Sequence, residues 1–180
     1  MMTESDAEIV RAMADDGEGG FRMLLARYKE PVYWHIRRLV VLHDDAQDAA
    51  QETFVRIFRS FRNYDRSKSF AAWIYRIATN EALRVTERRG KCHLSLDIAA
   101  AGCAGVTADS YVDYSNLEAV KLQNAILSLP PGQQAAFNMR YYDGMGYDEI
   151  AEATGSTPTS VKTSYHIAKC KIKEYMGSHD

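Results

Sequence analysis

The hydrophobic residues of this chain recur at helical spacing along most of its length. Intervals of three or four residues place side chains on one face of an α-helix. Such intervals separate Phe21, Leu24 or Leu25, Tyr28, Val32 and Ile36. The same spacing returns in two further runs, at Phe54, Ile57, Phe58 and Phe61, and at Phe70, Ile74, Ile77 and Val85. No segment sustains the alternation typical of a strand. The chain is therefore predicted to be all-α.

Turn-forming and polar residues divide the N-terminal helices. The first helix is expected to follow a glycine-rich start at residues 17–20 and to bend at Pro31. Asp44 or Asp45 is expected to cap the second helix, because a carboxylate can accept hydrogen bonds from the free amides there. The stretch NYDRSKS, residues 63–69, then breaks the helical pattern.

The rest of the chain suggests a second group of helices. A third helix is predicted over residues 70–89, and residues 90–115 then show no clear period. A further helix ends at Leu129, before the breaker Pro-Pro-Gly at 130–132, and the next runs to about Tyr142. The chain is thus predicted to form two small helical domains, residues 1–95 and 116–180, joined by a flexible linker at 96–115.

The segment from Tyr147 to Met176 has the features of a helix-turn-helix. Gly155 supplies the turn, Thr157 can cap the second helix, and Pro158 suits its first turn. One stripe of that helix is apolar, with Val161, Tyr165, Ala168 and Ile172. The second helix of such motifs enters the DNA major groove, so it is predicted to bind duplex DNA. A basic helix that is merely solvated is the alternative. The predicted DNA-binding residues are Thr157, Thr159, Ser160, Lys162, Thr163, His166, Lys169 and Lys173.

The distribution of charge supports two contacts with nucleic acid. The formal net charge is only −2, but residues 56–91 carry 10 basic and 3 acidic side chains, and residues 156–180 carry 4 and 2. The segments 1–55 and 92–155 are acidic, with charges of −5 and −6. Two basic blocks that alternate with two acidic ones are typical of a protein that contacts DNA at two places. Chance clustering of surface charge is the alternative.

The first basic block contains an aromatic and cationic surface on the third helix. Trp73, Arg76, Asn80 and Arg84 fall within a sector roughly 80° wide at 100° per residue. An aromatic ring can stack on an unpaired base while guanidinium groups neutralise phosphates, so this surface is predicted to bind single-stranded DNA. The alternative is that Trp73 packs in the core, as tryptophan usually does.

Composition excludes several other classes of protein. No apolar run approaches the roughly 18 residues of a membrane span, and the N-terminus has no export signal, so a cytoplasmic protein without membrane insertion is expected. Cys92, His93 and Cys103 lack the paired spacing of a zinc site, and reduced thiols are expected. No nucleotide-binding loop or nucleophile motif is present. Neither catalytic residues, a cofactor nor a small-molecule substrate is predicted.

Four stretches taken together resemble an extracytoplasmic-function sigma factor of the bacterial sigma-70 family. In order they are DDAQDAAQETFVRIFRSF, SFAAWIYRIATNEA, LSLPPGQQAAF and YDEIAEATGSTPTSVKTSYHIAK. The resemblance covers nearly the whole chain from Phe21 onward. It implies a promoter-recognition subunit with a region-2 domain and a region-4 domain joined by a flexible linker. It also implies core RNA polymerase, promoter DNA and an anti-sigma factor as partners.

The resemblance assigns residues to each partner. Reading of the unpaired −10 strand is implied for Arg62, Asn63, Tyr64, Asp65, Ser67, Lys68, Trp73, Arg76, Asn80 and Arg84. Docking on core polymerase is implied for Asp45, Asp48, Gln51, Glu52 and Val55. The helix from Pro158 to Lys173 is implied to recognise the −35 duplex.

Two other functions fit parts of this pattern. A LuxR-like transcriptional regulator would share the helix-turn-helix, but it would leave the surface from Trp73 to Arg84 without a role. A helical adaptor would use both basic blocks to bind proteins and would not depend on a promoter. Single-strand binding by residues 1–95 would argue against the regulator, and salt-sensitive duplex binding would argue against the adaptor.

Overall fold

The computed structural model describes residues 4–40, 42–88 and 117–178. Every regular element in these ranges is helical, and the described residues contain no β-strand. The helices are α1 (Glu4–Asp15), α2 (Gly17–Leu39), α3 (His43–Ser60), a 3₁₀ turn (Phe61–Asn63), α4 (Phe70–Arg88), α5 (Leu117–Leu127), α6 (Pro131–Tyr141), α7 (Tyr147–Thr154) and α8 (Pro158–Ser178). The predicted all-α class is confirmed. The predicted linker at 96–115 and the side chains of Cys92, His93 and Cys103 lie outside the described residues.

Helix α1 is an element that the hydrophobic pattern does not predict. It packs on α2 through a buried face that includes Ile9, Val10 and Met13. The glycines, taken as a start signal in the sequence, belong to α2 itself, which Asp16 caps by accepting a hydrogen bond from the amide of Glu18 at 3.2 Å. A side chain at Gly20 would overlap the backbone of Met13. Glycine there permits the two helices to cross in direct contact.

The start of α3 differs from the sequence prediction, whereas α2 is the long first helix that the sequence predicts. Helix α2 begins at Gly17 and continues through Pro31, which is exposed. Helix α3 begins at His43, and its N-cap residue, Leu42, makes no side-chain capping hydrogen bond. The predicted cap at Asp44 or Asp45 is therefore wrong. Both carboxylates lie in the first turn, where they still interact favourably with the helix dipole.

The N-terminal helices surround one apolar core, and polar contacts hold its edges. Its largest fully buried side chains come from α2, α3 and α4: Leu24, Ile36, Ile57, Phe70 and Ile74. Asp6 anchors α1 by accepting hydrogen bonds from the Tyr28 hydroxyl at 2.8 Å and from Arg27 at 3.1 Å. Burial, followed by the hydrogen bond to Asp6, raises the pKa of Tyr28.

The C-terminal helices form the predicted helix-turn-helix. Gly155 ends α7 in the left-handed region, at φ 67°, where a residue with a Cβ would be strained. The Thr157 hydroxyl accepts a hydrogen bond from the amide of Ser160 at 3.2 Å, and α8 begins at Pro158 as predicted. The predicted apolar stripe is confirmed, since Val161, Ala168 and Ile172 are buried and Tyr165 packs against their cluster.

The two groups of helices are packed directly against each other. Helix α7 lies against α4, and α6 touches α2. Met139, Ile150 and Ala153 from the C-terminal helices are buried in the same apolar cluster as the N-terminal core. The chain is thus closed on itself, with the loop at residues 63–69 at the junction of its two halves.

Candidate nucleic-acid interface

The loop before α4 is held in shape by its own hydrogen bonds. Asp65 accepts hydrogen bonds from the Ser67 hydroxyl at 2.7 Å and from the Ser67 amide at 3.0 Å, which forms an Asx turn. These two hydrogen bonds lower the pKa of Asp65, so the carboxylate is ionised at neutral pH. The buried Tyr64 donates its hydroxyl hydrogen to the carbonyl of Lys68 at 2.6 Å. The loop is therefore preorganised.

Trp73 belongs partly to the core and partly to the surface. Its ring lies 5.9 Å from that of Phe70 in a stacked arrangement, and 5.0 Å from that of Tyr64. The side chain is half-buried, whereas Arg76 and Asn80 on the same side of α4 are exposed. Trp73 thus has the packing that the core alternative requires, but it retains a surface on which a base can stack.

A pocket of about 240 Å³ brings together much of the predicted single-strand surface. Its lining includes Asn63, Tyr64, Asp65, Lys68, Trp73 and Arg76. Glu152, on α7, also lines it, and that residue was not predicted from the sequence.

The remaining residues predicted to bind the single strand lie outside this pocket. Arg62 and Ser67 are exposed near it, and Asn80 and Arg84 lie further along α4. Arg84 is 3.6 Å from the buried carboxylate of Glu81, which also pairs with Arg56 at 2.8 Å. Arg84 therefore has a structural contact as well as an exposed side chain.

The C-terminal helix α8 presents a continuous polar and cationic stripe. All the side chains predicted to contact duplex DNA are exposed: Thr157, Thr159, Ser160, Lys162, Thr163, His166, Lys169 and Lys173. The Thr163 hydroxyl donates a hydrogen bond to the carbonyl of Thr159 at 3.0 Å, and its oxygen can still accept another. Lys169 lies 5.7 Å from the centroid of the Tyr165 ring. The stripe lies beside the apolar face that the core covers and is open to solvent, as a groove-binding helix requires.

A third surface is the apolar groove between α2 and α3. The groove has a volume of about 930 Å³ and is lined by three residues predicted to bind polymerase, Asp48, Gln51 and Val55. Glu52, one turn from Asp48, pairs with Arg56 at 3.0 Å, and Asp45 is half-buried near the start of α3. The groove also has an aromatic lining from Phe21, Tyr33 and Trp34, which sequence reasoning did not assign to this surface. These aromatic side chains are half-buried, and aromatic residues are enriched in the core of protein interfaces.

Two acidic residues of the C-terminal half contact the N-terminal half. Asp143 accepts hydrogen bonds from His35 Nδ1 at 2.7 Å and from Arg38 Nη1 at 2.9 Å. Glu152 accepts one from the backbone amide of Ser69 at 3.0 Å. These contacts join residues far apart in the chain and have no local sequence signal.

The structure offers little evidence for other chemistry. Within residues 4–40, 42–88 and 117–178, no group of three His, Cys, Asp or Glu side chains is placed to hold a metal ion. In the same ranges no helix is long and apolar enough to cross a membrane.

Two protein families match this chain, one in each group of helices. The Sigma-70 region 2 family matches residues 24–92, which include most of the groove, the loop and α4. The Sigma-70 region 4 family matches residues 119–172, which include the helix-turn-helix. Together the two matches cover most of the chain.

Individual proteins agree with this division. The ECF RNA polymerase sigma factor SigE of Mycolicibacterium smegmatis is 31% identical over an alignment covering 87% of this chain, which spans 61% of the length of SigE. SigW of Bacillus subtilis is 28% identical, with 93% of this chain and 94% of SigW aligned.

Solved structures show the same fold. CnrH, in complex with the cytosolic domain of CnrY, aligns with a TM-score of 0.76 and 20% identity over 98% of this chain and 100% of CnrH. The sigma factor RpoE of Bartonella quintana, in complex with the anti-sigma factor NepR, aligns with a TM-score of 0.68 and 19% identity over 89% of this chain and 98% of that one. Since both sigma-70 regions occur in order within one all-α chain, the protein belongs to the extracytoplasmic-function group of the sigma-70 family, the alternative sigma factors that direct promoter recognition in transcription initiation.

Proposed function

We propose that this sigma factor reads promoters with two separate surfaces, one in each half of the chain. The half-buried Trp73, with the pocket beside it and the exposed Arg76 and Asn80, binds the unpaired strand of the −10 element. The polar stripe of α8 binds the −35 duplex. The observation that carries the proposal is the coexistence of these two surfaces in one chain, one suited to stacking on bases and one suited to a groove.

Core RNA polymerase docks on the groove between α2 and α3. An apolar floor with Val55 and the aromatic ring of Trp34 can bury surface against a helix of the partner, and Asp48 can pair with a basic side chain at the rim. The acidic character of α3 separates this surface from the basic surfaces that bind DNA. The docking site and the DNA sites can therefore be occupied together.

Catalysis of RNA synthesis belongs to the polymerase, and this chain contributes binding and strand capture without a cofactor or a small-molecule substrate. We propose that it acts in the cytoplasm, where the polymerase and the promoter are found. An anti-sigma factor is the expected antagonist, because the RpoE chain that shares this fold was solved with one.

The experiment that tests the proposal is run-off transcription with purified core polymerase and a library of promoter fragments. Transcripts that begin downstream of a shared pair of elements, and only when this chain is added, are expected. A control variant with Trp73→Ala and Lys162→Ala should lose most of this activity. The proposal would be refuted if core polymerase made no promoter-dependent transcripts after this chain was added.

A further inference from the structure

Two carboxylates of the C-terminal half accept hydrogen bonds from the N-terminal half. Asp143 lies in the connection between α6 and α7, and Glu152 lies near the end of α7. We call this pair the acidic latch. One of its contacts is with α2 and the other is with the loop before α4, and α4 and α7 also pack against each other.

Asp143 makes the more deeply buried of the two contacts. Its side chain is 4% exposed and lies between His35, which is 0% exposed, and Arg38. The other ring nitrogen of His35 lies 2.9 Å from the hydroxyl of Thr79 on α4. Because breaking a buried charge pair is far costlier than breaking an exposed one, this contact should dominate the stability of the closed arrangement.

Glu152 makes its contact at the start of α4. Its Oε2 accepts the hydrogen bond of the Ser69 amide, the residue just before the first residue of the helix, Phe70. Lys68 and Arg76 line the same pocket. The first amides of a helix favour an anion, and basic side chains strengthen that preference. A phosphate of a DNA strand lying on Trp73 would be attracted to the same place.

We propose that the acidic latch closes the single-strand surface, with the Glu152 carboxylate in the position of a DNA phosphate. Asp143 holds the C-terminal half in place through His35 and Arg38. Closure and capture of the −10 strand are then mutually exclusive, so the free protein is autoinhibited until its two halves separate. The assignment of the occluded surface rests on the proposed function, whereas the latch itself rests on the contacts between the halves.

The test uses the full chain and two matched variants on α7. Glu152→Ala removes the latch carboxylate, which accepts the hydrogen bond from Ser69. Asp148→Ala removes another exposed carboxylate of the same helix and so makes the same change in net charge. Asp143→Asn weakens the buried contact. Circular dichroism confirms that each variant is folded.

Two measurements separate closure from DNA binding. Small-angle scattering and hydrogen exchange at the Ser69 amide report opening. Fluorescence anisotropy with a short, random-sequence single-stranded oligonucleotide reports access to the surface. With Asp143→Asn we expect a larger radius of gyration, lost protection at Ser69 and about tenfold tighter oligonucleotide binding, the gain for a form about one-tenth open before the change. Glu152→Ala should tighten binding about twofold to fivefold, and Asp148→Ala should leave it unchanged.

The possible failures have different meanings. If neither latch variant changes the radius of gyration or the exchange of Ser69, the latch is refuted, whatever the DNA measurement gives. If the halves separate but oligonucleotide affinity stays at the wild-type value, closure does not occlude the single-strand site, and the latch proposal fails. The role of the Trp73 surface is then judged separately, because that role fails only if Trp73→Ala binds the same oligonucleotide as tightly as the wild type does. If Asp148→Ala tightens oligonucleotide binding as much as Glu152→Ala does, the change in net charge alone explains the effect. The position assigned to Glu152 is then refuted.

Discussion

The two surfaces that we propose bind DNA differ in their accessibility. The cationic stripe of α8 is convex, and each of its side chains from Lys162 to Lys173 is exposed in the closed chain. The surface around Trp73 is concave, is shaped by aromatic packing and is partly lined by Glu152 from the other half. On our proposals, duplex recognition is available at once, while strand capture needs the two halves to separate. On these proposals, the closed chain can bind the −35 element, and it can bind the −10 element only after opening.

Docking on polymerase should affect both surfaces together. We expect replacement of Asp48 and Glu52 by lysine to abolish binding to core polymerase, because repulsion at a desolvated interface costs several kcal/mol. Promoter selectivity at both elements should then be lost. The measurement is affinity for core polymerase by fluorescence titration, with Glu87→Lys, an exposed change on α4, as the control. Undiminished affinity would remove α3 from the interface.

Loss of the tryptophan ring should impair the proposed −10 surface and leave the proposed −35 surface unaffected. For Trp73→Ala we expect open-complex formation on duplex promoters to fall by roughly fivefold to a hundredfold, as the stacking of one base contributes about 1–3 kcal/mol. A template already mismatched at the −10 region should be less affected, because stacking no longer has to offset unpairing. Binding to the −35 duplex should not change. Equal losses on both templates, or lost helicity, would favour a purely structural role for Trp73.

The start of α8 should control sequence preference at the −35 element. We expect Ser160→Ala or Thr163→Ala to change the preference of the holoenzyme among −35 variants by about 1–3 kcal/mol, because on our proposal these exposed hydroxyl groups face base edges. The dependence of affinity on salt should stay the same, since a hydroxyl contact releases no counterion. Matched and mismatched −35 duplexes measured across a salt series provide the test. A changed salt slope with an unchanged preference would contradict it.

The lysines of α8 should have the smallest and least specific effect. Neutralising Lys162, Lys169 or Lys173 singly should weaken all promoters similarly and lower the salt slope by about one unit, because each phosphate contact releases about one counterion. Lys171 is a useful contrast, since its ammonium group donates a hydrogen bond to Gln133 at 3.1 Å. If a lysine change redistributes sequence preference, the groove-facing assignment of the helix is wrong.

Helical periodicity predicted well which side of a helix is buried, because that side is set by the local spacing of the apolar residues. Val161, Ala168 and Ile172 are buried as the sequence indicates, and Gly155 and Thr157 mark the turn. Local rules also explain the preformed loop, in which the partners at positions 65 and 67 are close in the chain.

The misses involve contacts between distant parts of the chain. Helix α1 escapes prediction because Gly20 looks like a breaker, although its missing side chain serves a helix crossing. His35 and Asp143 are 108 positions apart, so neither residue alone indicates the hydrogen bond between them. Glu152 is an exposed acid, and its hydrogen bond to the Ser69 amide is evident only when α7 is placed on α4. The roles assigned to individual DNA- and polymerase-binding residues stay predictions.

The contact of Asp143 with His35 and Arg38 also limits how freely the two halves can be recombined. A chimera that joins this N-terminal half to the C-terminal half of another sigma factor inherits the buried His35 and the half-buried Arg38, which here share one carboxylate. Where the donor has an uncharged residue at that place, closure would bury unpaired polar groups at a cost of several kcal/mol. Such chimeras should populate open forms. Recombination between paralogous regulators would then tend to produce factors that are active without an inducing signal, and selection should keep the matching residues together.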